Sequence, residues 1–358
     1  MKILQVTRQF SPAVGGIEAV VLNLSQALIH QGCEVSVVTL NRTFESPRRL
    51  KAEEVVEGIP VQRIPYFGST RYAFAPSVIA KIGEADLVNL HSSDFFLDYL
   101  AFTQVFHRKP LVLHSHGLYF HSAFAGGIKK VYLQTITRLA LRRVSAVICD
   151  SQHDIAMLKQ VAPEEKLALI PNGVNDRFLR HAGNTREPGL MISVGRLSGN
   201  KRCHLLLKAF AKVSAAIPTA RLILIGKDQG ELDPLRRLAD ELGISARVNF
   251  MGEVPYEILT EYLSRAPVWL SASEYESFGI AALEAMASGC VPVVQRLSAF
   301  KDFIHDQENG FFTDFSDVDR AASAILRVLN MGDAERNAIS RRAKETASRF
   351  TWERREYS

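Results

Sequence analysis

The sequence predicts an α/β protein of two domains, each built around a doubly wound parallel sheet. Short apolar runs bounded by turn residues alternate with stretches of helical periodicity, a pattern typical of parallel strands joined by helices. The alternation breaks at a polar stretch near residues 172–188 and then begins again. A chain of 358 residues is long enough for two such domains, each with its own hydrophobic core.

Each predicted strand is followed by a loop or a helical stretch. Residues 333–357 are predicted to form an amphipathic packing helix. Because doubly wound sheets bind ligands beyond the carboxyl ends of their strands, we expect the chemistry in the loops that follow strands. The predicted strands are 3–7, 33–40, 86–90, 110–114, 146–150 and 167–170 in the first half, and 190–194, 221–225, 247–250, 268–271 and 291–294 in the second.

The bulk composition excludes several classes of protein. With 47% hydrophobic and 23% charged residues, the chain is neither disordered nor fibrous. No signal sequence is recognisable and no apolar run reaches the roughly 18 residues of a membrane span, so the cytoplasm is the expected location.

The net charge of +5 lies entirely in residues 1–180, but no motif interleaves basic and aromatic residues. We therefore expect no nucleic-acid partner, whereas weak attraction to anionic lipid stays open.

Two loops of the first half carry candidate residues. Gly15 and Gly16 follow the first strand and precede a helical stretch, where glycine lets backbone N–H groups approach a phosphate, although a tight turn explains the pair nearly as well. His114 and His116 end a later strand, and strand alternation places them on one face. Because no third histidine or carboxylate occurs at ligand spacing, a hydrogen-bonding role for His116 is favoured over zinc.

A basic loop, Val-Gly-Arg-Leu-Ser-Gly-Asn-Lys-Arg at 194–202, follows the first strand of the second half. Arg196 and Lys201 lie where a sheet of this kind presents its ligand, and two cations can neutralise a diphosphate without a metal. Taken alone, the loop is explained equally well by solvated basic side chains.

The stretch 273–289 follows a strand and becomes an Ala-rich helix that Gly289 ends. Gly279, near the helix start, exposes backbone N–H groups to a phosphate or a sugar hydroxyl. Glu284 lies among alanine, leucine and methionine residues, where a solvated charge is not expected, so a bound ligand explains this carboxylate better. The role of Glu276 depends mainly on its spacing from Glu284.

Four motifs occur in the order found in glycosyltransferase family 4, whose members are retaining enzymes of GT-B architecture, and the sequence resembles this family over nearly its whole length. The resemblance implies two Rossmann-like domains facing a central cleft. It divides the chain into an acceptor-side domain, 1–175, a nucleotide-sugar domain, 176–335, and C-terminal helices, 336–358, that pack back toward the first domain. The motifs are Gly15-Gly16, Ile170-Pro171-Asn172-Gly173-Val174, Gly195-Arg196-Leu197 with Lys201, and Glu276-x7-Glu284 with Phe278-Gly279.

The resemblance also implies a role for each matching residue. Arg196 and Lys201 would hold the diphosphate leaving group, and Glu284 would bind the ribose hydroxyls. Glu276 and His116 would lie beside the donor sugar, near the reacting centre. Other donor contacts would come from Gly16 at the phosphates, from Val254 in the stretch that reads the base, and from the backbone of Phe278, Gly279 and Ile280.

Two positions depart from the family pattern. Arg202 follows Lys201 where glycine is usual, and we expect its side chain in solvent, with an extra phosphate contact as the alternative. Residues 297–302 lack the usual glycine-containing loop and glutamate, which leaves sugar selectivity open.

The predicted reaction transfers a sugar from a nucleoside-diphosphate sugar to a glycan or lipid-linked glycan, with retention and with no metal or other cofactor. A UDP-sugar is favoured and a GDP-sugar is the alternative. A nucleotide-sugar epimerase of the same architecture and a non-catalytic nucleotide-sugar-binding subunit are the rival functions. Peripheral membrane contact through the N-terminal domain would involve residues 119–124, Lys129, Lys130, Arg138, Arg142 and Arg143, although an apolar core beneath a wet helix face explains the same pattern.

Overall fold

A computed structural model of the protein describes residues 1–70, 72–117, 126–180 and 186–352. The chain divides into two compact units, Met1–Gly173 and Val174–Ser358. The division falls beside residue 175, where the domain boundary was predicted. Each unit carries a sheet of predominantly parallel strands with helical connections, so the predicted α/β fold class is confirmed.

The first unit is a large sheet covered by helices. A π-helical turn, Leu133–Thr137, joins the helices Gly126–Tyr132 and Arg138–Leu141. The strands are β1 (Lys2–Val6), β2 (Glu34–Leu40), β3 (Glu53–Val56), β4 (Ile59–Ile64), β5 (Phe67–Ser69), β6 (Tyr72–Phe74), β7 (Leu87–His91), β8 (Leu111–His114), β9 (Ala146–Cys149) and β10 (Leu167–Leu169). The helices are α1 (Gly16–His30), α2 (Phe95–His107), α3 (Gly126–Tyr132), α4 (Arg138–Leu141) and α5 (Gln152–Leu158), with 3-10 turns at Pro76–Ala80 and Glu164–Lys166.

Parallel pairing places the functional loops of this unit at one edge. The described strands of the main sheet follow the order β10-β9-β8-β7-β1-β2-β4-β3, with only β3 antiparallel to its neighbour. The chain leaves β1 toward β2 and later returns on the other side as β7, which makes β1/β7 the topological switch point. The loops after β1, β7 and β8 therefore leave the sheet side by side.

The second unit repeats this plan with a smaller sheet. Its strands are β11 (Leu190–Val194), β12 (Arg221–Ile225), β13 (Val248–Gly252), β14 (Val268–Ser271), β15 (Val291–Gln295) and β16 (Phe311–Thr313). Its helices are α6 (Arg177–Arg180), α7 (Cys203–Ala216), α8 (Leu232–Glu241), α9 (Tyr256–Arg265), α10 (Ile280–Ala287), α11 (Ser298–Lys301), α12 (Val318–Leu329) and α13 (Asp333–Ala347), with 3-10 turns at Gly199–Lys201, Ser245–Arg247 and Ser348–Phe350.

The described strands of this sheet are all parallel, in the order β13-β12-β11-β14-β15-β16. Strand β11 pairs with β12 on one side and with β14 on the other, so the switch point lies between β11 and β14. Alternate strand residues enter two apolar cores, one around Phe210 and Leu270 and one around Trp269 and Phe278. Because both faces are covered, the strands are apolar throughout.

Several predicted elements differ from the observed ones. Strands β3 to β6 and β16 were not predicted. All of them except β4 have only three or four residues, and β3 reads Glu-Glu-Val-Val at the sheet edge. The predicted linker contains α6, whose Phe178 is fully buried, while residues 181–185 lie outside the described part of the chain.

The predicted C-terminal helix is wrong for residues 348–352, the described part that follows Ala347. The chain there enters a 3-10 turn, and the carbonyl of Phe350 accepts a 2.6 Å hydrogen bond from the Val174 N–H, while Thr351 pairs with Val174 as an isolated bridge. Helix α13 packs on α10. The predicted return of residues 336–358 toward the first domain stays a prediction, and residues 353–358 lie outside the described ranges. Among the helices that are described, none combines the length and apolar character needed to span a membrane.

A substitution at Gly226 tests whether the backbone after β12 must pack closely against the loop that follows β11. A Cβ at Gly226 would collide with the carbonyl of Gly195, and its φ of +146° is strained for other residues. We expect Gly226→Ala to lower the free energy of unfolding by about 3 kcal/mol or more, measured by urea denaturation. Gly230→Ala is the matched control, because Gly230 also has positive φ but open space around its Cα. It should cost only about 1–2 kcal/mol, and equal losses would contradict a backbone clash at Gly226.

Candidate functional site

Two loops meet at the switch point of the second unit. The loop after β11 contains Asn200, whose side-chain amide donates a 3.0 Å hydrogen bond to the Tyr275 carbonyl. The N–H of Glu274, in the loop after β14, donates to the Asn200 carbonyl at 2.8 Å. Arg202 is half-buried and its Nε donates to the Ala272 carbonyl at 2.8 Å. The expectation of a solvated Arg202 is therefore wrong, because the adjoining loop offers a backbone acceptor that the linear sequence conceals.

Lys201 and Glu276 form an ion pair across these loops. The Lys201 Nζ lies 2.6 Å from Glu276 Oε1, and the two side chains are 20% and 17% exposed. The Ser273 hydroxyl donates to the same carboxylate oxygen at 2.7 Å. Gly195 makes room for the lysine stem, since a Cβ there would lie 3.2 Å from Lys201 Cε. The ammonium is thus held in place and yet retains enough exposure to meet an anionic ligand.

The loop after β14 leads directly into the amino end of α10. Gly279 caps the helix with φ +94°, and a Cβ there would lie 2.5 Å from Phe300 Cε1, so this position requires glycine. Phe278 points away from the loop and packs with Phe303 and Phe350 in the core. The Phe278 side chain is therefore not available to a ligand, and the predicted ligand contact through the backbone of Phe278, Gly279 and Ile280 stays a prediction. The first N–H groups of a helix have no acceptor within the helix and attract anions.

Glu284 lies in the second turn of α10 and is half-buried. Burial raises the pKa of its carboxyl to about 8, and the positive charge of Arg177 offsets part of that rise. Arg177 is in α6, with its guanidinium 4.8 Å from the Tyr256 ring centroid. Sequence reasoning missed Arg177 because it lies in the predicted linker, with no motif around it.

The other candidate residues of this unit differ in exposure. Arg196 is exposed on the loop after β11, and Val254 is half-buried against the core that contains Phe278. The contacts predicted for these two side chains with the diphosphate and the base stay predictions.

In the first unit, Gly16 begins helix α1. It is exposed, and a Cβ there would meet no atom within 4 Å. The N–H of Ala19 makes an early helical bond, to the Gly15 carbonyl, so the preceding N–H groups of the first turn have no intrahelical acceptor. The phosphate contact predicted for Gly16 stays a prediction.

His116 is held by neighbouring side chains. Its backbone is left-handed, with φ +50°. Its Nε2 lies 2.8 Å from His91 Nδ1, and its Nδ1 lies 3.6 Å from Asp150 Oδ2. Burial lowers the pKa of His116. Sequence reasoning missed His91, which the parallel register of β7 and β8 places directly opposite His114.

The second unit is doubly wound and presents cations, a helix amino end and acceptor carboxylates at its switch point. These groups are suited to bind a nucleoside diphosphate that carries ribose and sugar hydroxyl groups. Together with a first unit of the same kind, the second unit defines the GT-B class of glycosyltransferase. The profile for Glycosyltransferase Family 4 matches residues 14–178, and that for Glycosyl transferases group 1 matches residues 175–346.

Similar proteins agree with these matches. The chain is 35% identical over 98% of its length to the GDP-mannose:cellobiosyl-diphosphopolyprenol alpha-mannosyltransferase of Xanthomonas oryzae, and covers 93% of that protein. It is 32% identical to the protein of the same name from Komagataeibacter xylinus, over 98% of this chain and 90% of the relative. HepE of Anabaena, solved with UDP-glucose, has the same fold, with a TM-score of 0.80 at 22% identity over 98% and 96% of the two chains. The chain belongs to glycosyltransferase family 4 and is a hexosyltransferase.

The raised pKa of Glu284 predicts a pH-dependent stability. Between pH 4.5 and about 8 the folded chain keeps this carboxyl protonated while the unfolded chain ionises it, so the stabilisation is complete below pH 4.5 and is lost as the pH rises to about 8. Glu284→Gln removes this loss. We expect the variant to gain on the order of 2 kcal/mol over the wild type between pH 5 and pH 8, by urea denaturation. Glu345→Gln, on an exposed face of α13, is the control and should show no such gain; a pH-independent difference for Glu284→Gln would contradict the assignment.

Proposed function

We propose that this protein is a retaining mannosyltransferase that moves mannose from GDP-mannose to a lipid-linked glycan without a divalent metal at the diphosphate. The observation that carries the proposal is the Lys201–Glu276 pair at the β11/β14 switch point, beside the amino end of α10. The mannosyltransferase relatives support the choice of sugar and of acceptor class.

The chemistry follows from where charge develops. Cleavage of the bond between the anomeric carbon and phosphate leaves negative charge on the departing diphosphate and positive charge on the sugar. On donor binding, the Lys201 ammonium would turn from Glu276 to the diphosphate, with exposed Arg196 as a second cation. Glu276, released from the ion pair, would then face the donor sugar, and Glu284 would bind the ribose. Two cations and a helix amino end supply the charge that Mg²⁺ provides in other transferases, so we expect no dependence on added Mg²⁺ or Mn²⁺.

The sequence analysis and the relatives lead to different expectations for the base of the donor. The sequence analysis favours a UDP-sugar, whereas the mannosyltransferases from Xanthomonas and Komagataeibacter are named for GDP-mannose. HepE, at 22% identity, informs the fold and not the base. We therefore propose guanosine, and the activity assay compares both bases.

The proposed function is tested with purified protein, a cellobiosyl-diphosphopolyprenol acceptor, and either GDP-mannose or UDP-glucose, without added divalent metal. We expect a mannosylated lipid, with an α linkage to the new sugar by NMR, and a rate at least about 100-fold lower with UDP-glucose. Transfer of glucose alone would overturn the GDP assignment. Conversion of the donor sugar in the absence of acceptor would favour the epimerase instead.

Two variants connect this activity to the site. Glu276→Gln should lower the transfer rate at saturating donor by about 100-fold or more, because it removes an interaction with the sugar as charge develops. The double change Arg196→Ala and Lys201→Met should weaken GDP binding by at least about 10-fold in calorimetry. Lys212→Met, an exposed lysine on α7 of the same unit, is the matched control and should leave GDP binding unchanged.

We also propose that the first unit docks on anionic membranes, where a lipid-linked acceptor resides. Helix α2 exposes Phe102, Val105 and Phe106, the last at 81%. The guanidinium of Arg143 lies 6.0 Å from the Phe102 ring centroid, which joins this apolar face to exposed arginines at the end of α4. An apolar face beside basic residues is the composition of an interfacial surface. Residues 119–124 and the side chain of Lys129, which belonged to the predicted surface, lie outside the described part.

Vesicle sedimentation tests this surface. We expect Phe106→Ser combined with Arg142→Glu to reduce binding to phosphatidylglycerol vesicles by at least about 10-fold, since both apolar insertion and charge attraction are lost. Val55→Ser, at a valine that is 69% exposed on β3, is the control and should bind like the wild type. Unchanged binding of the double variant would exclude this face as the docking surface.

A further inference from the structure

A two-stranded hairpin that follows the carboxyl end of β4 exposes three aromatic residues. Its strands, β5 and β6, pair antiparallel, with Phe67 opposite Phe74 and Ser69 opposite Tyr72. Residues opposite each other in such a pair share a face, so Ala73, between Tyr72 and Phe74, points to the other face. Ala73 is buried, whereas Phe67, Tyr72 and Phe74 are 67%, 42% and 47% exposed. The hairpin therefore packs through its alanine face and leaves its aromatic face partly open.

Side-chain contacts fix this hairpin against the start of helix α2. The hydroxyl of Tyr72 donates a 2.8 Å hydrogen bond to Oδ2 of Asp98, in the first turn of α2, and the hydroxyl of Tyr132 donates to the same oxygen. The rings of Phe74 and Phe95 meet edge to face, with their centroids 4.8 Å apart. Because the aromatic face is already ordered, a ligand that binds there does not pay for ordering it.

An aromatic stripe continues from the hairpin along α2. The residues Phe95, Tyr99, Phe102 and Phe106 follow one another at helical spacing and so lie on one face of the helix. The rings of Phe95 and Tyr99 stack with their centroids 5.1 Å apart. The stripe is about 16 Å long at the rise of an α-helix, and it ends on the membrane-docking face proposed above. Hairpin and stripe together form what we call the aromatic path, made of Tyr72, Phe74, Phe95, Tyr99, Phe102 and Phe106.

Exposed apolar side chains are concentrated around the aromatic path. Most of the large hydrophobic residues that are exposed in the described ranges lie on β5, β6, α2 and the segment from α3 to α4. Val131, Ile136 and Leu139 belong to that last segment, which Tyr132 connects to α2 through Asp98. An apolar surface of this extent marks an interaction site.

Two guanidinium groups adjoin the hairpin end of the path. Arg42 lies over the ring of Tyr66, just before β5, at 4.8 Å from the ring centroid. Arg8 donates a 3.3 Å hydrogen bond to the carbonyl of Thr70, between the two strands. Arg8 is paired with the buried Asp94, whereas Arg42 has no ion-pair partner among the residues described. Guanidinium groups bind phosphate oxygens in charge-assisted hydrogen bonds, so this end of the path suits a diphosphate.

We propose that the polyprenyl chain of the lipid-linked acceptor lies along the aromatic path, with its diphosphate at Arg42. The first isoprene units would contact Tyr72 and Phe74, and the chain would continue over α2 to the docking face. A stripe one residue wide suits an extended hydrocarbon chain better than a flat protein partner, and the cation at one end suits the charged end of that lipid. The glycan would then lie beyond the diphosphate, at the carboxyl edge of the sheet. The identity of the acceptor rests on the proposed function.

Fluorescence anisotropy of a dansyl-labelled farnesyl diphosphate tests the path with the full-length protein, without vesicles. We expect saturable binding, and Phe74→Ser combined with Phe102→Ser should weaken it by at least about 10-fold, because apolar contact area is lost. Leu169→Ser is the matched control, at a leucine of the same unit that is 39% exposed on β10, and it should bind like the wild type. No binding by the wild type, or equal affinity in the double and control variants when both are folded by circular dichroism, would overturn the proposal.

A second variant locates the charged end of the lipid. Arg42→Met should weaken binding of the farnesyl diphosphate probe by about 10-fold and leave binding of the corresponding dansyl-labelled farnesol unchanged. Equal losses for the two probes would overturn the placement of the diphosphate at Arg42.

Transfer kinetics separate this proposal from the proposed function. With the polyprenyl acceptor, the double variant should raise KM by at least about 10-fold at unchanged kcat, and with an acceptor whose lipid is replaced by a methyl group it should match the wild type. A KM that rises equally for both acceptors would overturn the lipid path and leave the transferase intact. Probe binding by a protein that transfers no mannose would support the path and overturn the proposed function.

Discussion

Parallel pairing of neighbouring strands at the switch points is the constraint on which the site geometry depends. In the second unit, β11 and β14 are adjacent in the sheet although two further strands, β12 and β13, lie between them in the chain. Their carboxyl ends leave the sheet together, so Lys201 and Glu276 reach a distance of 2.6 Å. The backbone bonds that connect Asn200 to Tyr275 and Glu274 hold the two loops in this relation. Without that pairing, a lysine and a glutamate 75 residues apart would have no reason to interact.

The same constraint acts in the first unit with different chemistry. The register of β7 and β8 sets His91 opposite His114. Gln5 on β1 contacts His91 Nε2, and Asp150, which follows β9, contacts His114 Nε2. The result is a buried cluster of polar groups that the apolar strands beneath it do not need for packing. Such clusters are costly to bury unless their hydrogen bonds or a ligand satisfy them, which is why they mark functional sites.

Charge is distributed differently in the two sites. The second unit presents an ammonium, a guanidinium and helix N–H groups, and this arrangement is suited to an anionic leaving group. The first unit presents a cluster of imidazoles at its sheet edge, and arginines beside an apolar helix face on its surface. The proposed transfer, from a water-soluble donor to a lipid-linked acceptor, would use surfaces of both kinds.

Much of this protein could be predicted from sequence, because periodicity and turn residues act locally. Three strands of the second unit, β11, β12 and β14, begin and end at the predicted residues. Short or charged edge strands such as β3 were not predicted. Such strands are stabilised by pairing with a neighbouring strand, and their own composition gives little sign of it. The end of α13 was not predicted for the same reason. The Val174 N–H that donates to the Phe350 carbonyl belongs to the opposite end of the unit's sequence.

The candidate site divides in the same way. The sequence alone determined which loops carry chemistry and the unusual setting of Glu284 within an apolar helix, because these depend on neighbours within a few turns of the chain. The contact with Phe300 that requires glycine at position 279 comes from the tertiary structure. Only the tertiary structure decided that Arg202 binds a carbonyl, that Arg177 reaches the surroundings of Glu284, and that His91 joins His114 and His116. Each of these contacts joins separate elements of the fold, and strand order and register, which set such contacts, are not written in local periodicity.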